Sequence, residues 1–92
     1  MLGLVLCEVR PGVGNVAVSV VVRDTSNQPT YLEIQRDFVT HRYGKTWLTI
    51  GVVYRDKEKG VALIEFPVEA DSGAHRLWVP LTSLREPNPG AE

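Results

Sequence analysis

The sequence predicts an all-β domain of about six short antiparallel strands, arranged as a small open barrel with a one-turn helix near its C-terminus. Three observations carry this. Apolar residues recur with a period of two through several valine-rich runs, as half-buried strands require. Clusters of turn formers separate those runs at the spacing of a small barrel or sandwich. No segment sustains a 3.6-residue repeat.

The elements follow in chain order. Residues 2–9 (LGLVLCEV) are apolar on both faces, so this strand is central or covered on both sides. PGVGN, residues 11–15, reads as a turn. In residues 15–24 (NVAVSVVVRD), Val16, Val18, Val20 and Val22 share the core face. TYLEIQR repeats the pattern, with Leu32 and Ile34 inward and Tyr31, Glu33 and Gln35 outward. DTSNQP lies between them, so residues 16–35 form a hairpin. Its Asp, Ser and Asn bond local backbone, and Pro29 cannot extend a central strand. EIQRDFVTHRYGK comes nearest to a helix, but Gly44 and the β-branched neighbours allow only a turn or two. In TWLTIGVVYR, Leu48, Ile50, Val52 and Tyr54 share one face, and Trp47, Thr49, Gly51 and Val53 the other. DKEKG is a charged hairpin loop ending in Gly60, and VALIEF returns with Ala62, Ile64 and Phe66 inward. PVEADSGA connects to a short last strand, HRLWVP, and LTSL is long enough for one helical turn. Residues 1–85 thus make one domain, and residues 86–92 a frayed tail.

Composition narrows the function classes. Ten basic residues against 11 acidic ones give a formal charge of -1, without the general cationic signature of a nucleic-acid binder. A single cysteine, Cys7, permits no disulfide within the chain and fits a reducing, cytoplasmic setting. It reads as a small buried hydrophobe. No run approaches the roughly 18 apolar residues of a membrane helix, so no membrane partner is expected.

The segment from Gly44 to Arg85 resembles the second half of an SH3-like barrel. It runs strand (WLTIGVVYR), charged turn (DKEKG), strand (VALIEFP), turn (ADSG), strand (RLWVP) and a one-turn helix (LTSL). Its end is distantly similar to type II dihydrofolate reductases, small barrels that assemble as tetramers around a shared pore. Their final strand carries Val-Gln-Ile-Tyr before a proline. Here those positions hold Arg76, Leu77, Trp78 and Val79 before Pro80. The pore-lining glutamine and tyrosine are absent, so that activity is not carried over.

Several candidate sites are weighed against plainer readings. Asp71, Ser72 and His75 are the residue types of a hydrolytic triad, but Asp-Ser-Gly is itself a strong turn sequence and no nucleophile elbow surrounds it. The turn reading is preferred, and no catalytic residue is assigned. Cys7, His41 and His75 lack metal-ligand spacing, so neither a metal nor any other cofactor is expected. Arg36, Arg42 and Lys45 interleave with Phe38 and Tyr43, a pattern that suits single-stranded nucleic acid by charge and stacking. A solvated loop with Phe38 packed inward is the preferred alternative. The acidic run Glu65, Glu69, Asp71 and the basic stretch 36–45 offer opposed patches that either pair between subunits or are simply solvated.

The two tryptophans carry the leading expectation. Trp47 and Trp78 are each out of phase with their inward neighbours, so both rings point away from the barrel centre. Outward aromatics on small barrels commonly form ligand or subunit interfaces. The alternative is that they cover a minor core beneath the 36–45 connection. The leading function is a non-catalytic binding or assembly module, self-associating as a homo-oligomer, that meets a protein or small molecule through Trp47, Trp78, Tyr31, Tyr43 and Tyr54. Nucleic-acid binding through Arg36, Arg42 and Lys45 is the second reading. An enzyme whose site forms only at an oligomer interface is the third.

Overall fold

β-Branched alternation produces the strands, and turn chemistry sets where they stop. The computed structural model of the chain describes residues 1–11 and 16–87. Among these there are eight strands: β1 (Leu2–Pro11), β2 (Ala17–Arg23), β3 (Pro29–Gln35), β4 (Val39–Arg42), β5 (Lys45–Asp56), β6 (Val61–Glu65), β7 (Arg76–Pro80) and β8 (Leu84–Arg85). All pair antiparallel in the order β3-β2-β1-β5-β6-β7, with β4 on β5 and β8 on β1. The sheet curls into an open half-barrel. Its only helical pieces are two 3-10 turns, Arg36–Phe38 and Leu81–Ser83, so no helix among the described residues is long and apolar enough to cross a membrane.

The sequence leads to six of these strands and misses β4 and β8. β4 is the four residues Val-Thr-His-Arg, with no apolar alternation, and β8 has two residues. Both exist because a longer strand is there to pair with. For β8 that strand is β1, and for β4 it is β5, whose residues 45–48 pair with β4, 46–51 with β1 and 51–56 with β6. β1 is central, as expected, between β5 on one edge and β8 and β2 on the other. The expected turn at residues 11–15 lies largely, and the tail beyond residue 87 wholly, outside the described residues.

The core fills the concave side. Val5, Val20, Val22, Leu32, Leu48, Ile64 and Val79 are fully enclosed, with Ile50 and Phe66 almost so. Val16 departs from expectation: it lies before β2 and is exposed. Val21, on the outer face, is buried instead and lines a cleft with Leu6, Pro80 and Ser83. The two outer strands of the sheet, β3 and β7, do not close through a direct ladder. Loops bridge them: Thr25 N–H donates to the Trp78 carbonyl at 3.1 Å, and Asp71 N–H donates to the Tyr31 carbonyl at 2.9 Å. Local bonds fix these loops, since Asp24 Oδ1 accepts from the amides of Ser26 and Gln28 at 2.8 Å each.

Gly3 pairs with Ile50 in the antiparallel β1–β5 ladder. A Cβ placed there would lie 2.9 Å from Val52 Cγ2, a short branched side chain with little room to turn away. Gly3→Ala is therefore expected to destabilise the fold by about 1–3 kcal/mol through overpacking, read as a lower urea midpoint with unchanged m-value.

Candidate functional site

A bulge in β5 creates the most distinctive surface. Val52 pairs with Ile64 and Tyr54 with Leu63, so Val53 is an extra residue that opposes no partner. Strict alternation puts Tyr54 on the core face with Leu48 and Ile50. The inserted residue reverses that phase and sends Tyr54 to the outer face. There Tyr54, Leu63 and Trp78 form one cross-strand row over β5, β6 and β7. The Tyr54 and Trp78 rings meet edge to face, 6.3 Å between centroids at 84°. This is a favourable aromatic geometry. Both stay open to solvent, Tyr54 55% and Trp78 43% exposed, and Val53 is exposed beside them. Beside the row, on the neighbouring cross-strand pair, Arg76 Nε donates to Glu65 Oε1 at 3.2 Å, and Arg76 Nη2 lies 3.1 Å from the same oxygen as an ion pair. Both partners are solvated, so the pair adds little stability.

Trp47 does not share this exposure, which corrects the expectation for it. It lies on the opposite face from Leu48, as its phase requires, yet only 3% of its surface reaches solvent. Its indole N–H donates to the Arg42 carbonyl at 3.1 Å, and the Arg85 guanidinium lies 5.4 Å from its ring centroid. Arg85 donates in turn to the carbonyls of Thr82 and Leu84, which hold it over the ring. Leu4 and Trp47 are both buried on this outer face, apart from the main core. Arg85 carries no apolar signal in the sequence, and β8 is too short to read, so this cover was hidden.

The other predicted residues are dispersed. Tyr31 is half-exposed on β3, with the Arg10 guanidinium 5.7 Å from its ring. Tyr43 stands at the tip of the β4–β5 hairpin. Arg36 lies in the first 3-10 turn and lines a small cleft with His41, while Arg42 and Lys45 are direct cross-strand partners. The 36–45 segment is thus not the expected loop, although Phe38 does pack against the core.

The Asp71-Ser72-Gly73 segment folds as a turn. Gly73 has φ 91° and donates to the Ala70 carbonyl, and Ser72 Oγ accepts from Ala74 N–H at 3.4 Å. The His75 imidazole faces Glu69, at 3.5 Å. Within the chain Glu65 is answered by Arg76, and Glu69 lies beside the His75 imidazole. Among the described residues, no three His, Cys, Asp or Glu side chains converge as a metal site would require. A cleft of about 290 Å³ runs past Glu8, Arg23, Asp24 and Ser83. Each of these has an internal partner: Glu8 with Arg23, Asp24 with its own turn, and Ser83 with the Pro80 carbonyl.

Cys7 also borders that cleft, yet its thiol is buried. Burial, and secondarily the neighbouring Glu8 carboxylate, push its pKa from 9.0 up to about 12. The thiol is thus held neutral and poorly nucleophilic in the fold. Above pH 9 the unfolded chain loses this proton while the folded chain keeps it, so stability falls with rising pH, by up to about 1.4 kcal/mol per unit. Cys7→Ala is expected to remove that component, checked by comparing urea midpoints of both proteins between pH 8 and 10.

Compared with known proteins, the chain matches no family model, no curated protein and no solved structure.

Proposed function

We propose that this protein is a small SH3-like barrel that acts as a non-catalytic assembly module, binding through the Tyr54–Trp78 face. The observation that carries this is the Val53 bulge. It spends an extra residue in a regular strand and places a second aromatic ring beside Trp78 in solvent. Bulges recur where a strand must re-aim a side chain, and aromatic residues dominate the energetic centres of interfaces. The barrel assignment is supported by the end of the chain. β7 ends in Pro80, one 3-10 turn follows, and β8 returns to pair with β1.

A second copy of the chain is the partner this face suits first. Its rim carries both signs of charge, Glu65 and Arg76 at one end and Asp56, Lys57, Glu58 and Lys59 at the other. Two such faces meet in a twofold arrangement without net repulsion, as an isologous contact needs. The two tryptophans make the test selective. Acrylamide quenching of tryptophan emission is expected to fall as protein concentration rises, because Trp78 becomes covered while Trp47 is already enclosed. Quenching that stays constant to millimolar concentration would count against self-association.

A further inference from the structure

We propose a second, separate contact site at the tip of the β4–β5 hairpin, which takes single-stranded nucleic acid by stacking a base on Tyr43 beside Lys45 and Arg42. The turn itself argues for it. Arg42 pairs with Lys45, so Tyr43 and Gly44 are the two central residues of a tight hairpin turn, with φ 55° and 70°. That turn wants Asn, Asp or Gly at its first central position. A tyrosine held in left-handed backbone is strained, and such strain marks sites where function outweighs fold. The residue is 69% exposed, so its ring adds little to packing.

The charges around it make a second unfavourable choice. Arg42 and Lys45 are like charges placed directly across the ladder, which destabilises a hairpin. Most other arginines are engaged: Arg23 with Glu8, Arg76 with Glu65, Arg55 with Glu86, Arg10 over Tyr31 and Arg85 over Trp47. Among the described residues, neither Arg42 nor Lys45 has an acidic partner; Lys45 is exposed, whereas Arg42 is partly buried and its Nη1, enclosed by the protein, has no hydrogen-bond acceptor. Residues 41–45, His-Arg-Tyr-Gly-Lys, contain no acid. One exposed ring flanked by the exposed Lys45 and the partly buried Arg42, in a turn without acids, suits a flat base and its phosphates.

Tyr43→Asn separates function from fold, because asparagine tolerates this backbone. The probe is a fluorescently labelled dT oligonucleotide, followed by anisotropy at low and high salt. We expect salt-sensitive binding by the wild type and about tenfold weaker binding by Tyr43→Asn, while its melting temperature rises. Lys45→Gln should reduce the salt dependence by roughly one phosphate contact. Trp78→Ala should bind the oligonucleotide as the wild type does, which keeps this site distinct from the Tyr54–Trp78 face. The proposal is overturned if no salt-sensitive binding appears, if Tyr43→Asn binds equally well, or if polyglutamate competes as effectively as the oligonucleotide.

Discussion

Trp47→Ala is expected to cost about 3–5 kcal/mol and to leave the chain largely or wholly unfolded near body temperature. The residue is enclosed on the outer face, its N–H bonds to the Arg42 carbonyl, and Arg85 covers its ring. Truncation removes the ring, leaves a void under Arg85 and frees the turn carbonyl from its partner. A chain of this length has a thin margin, so one such loss takes much of it. Urea titration followed by far-ultraviolet circular dichroism measures the effect. Trp47→Phe, which keeps most of the apolar area, is expected to recover a large part of the stability but not the hydrogen bond.

Trp78→Ala is expected to act in the opposite way. Trp78 is 43% exposed, with Tyr54 edge to face and Leu63 across the ladder, so the fold should lose only about 0.5–1.5 kcal/mol. Self-association should weaken by roughly 30-fold or more, the size of a loss at an interface centre. The two tryptophans have the same sequence phase relative to their neighbours, and only the structure separates them. One is enclosed in the fold, and the other stands open to solvent.

That difference shows what the sequence made legible. Period-two valines and the DTSNQP, DKEKG and ADSG turns were enough to place the main strands and the core face. Leu32, Ile34, Leu48, Ile50, Ala62 and Ile64 are all buried as their phase required. The failures concern features without a local signature. The bulge at Val53 is an ordinary valine in an ordinary run, and the register against β6 reveals it. Pairing with β5 defines β4, and Arg85 is brought over Trp47 only when β8 docks on β1. The candidate site was half visible for the same reason. Trp78 is legible from alternation, whereas alternation puts Tyr54 on the core face and the inserted residue shifts everything after it to the other. Tyr43 was legible as an aromatic among cations, but its left-handed backbone was not.

Sedimentation equilibrium of the wild type and Trp78→Ala, run side by side across a wide concentration range, tests the central claim most directly. The proposed assembly face predicts reversible self-association of the wild type, and a Trp78→Ala protein that stays folded and monomeric over the same range. A wild type that remains strictly monomeric, or a Trp78→Ala protein that associates just as strongly, would contradict it.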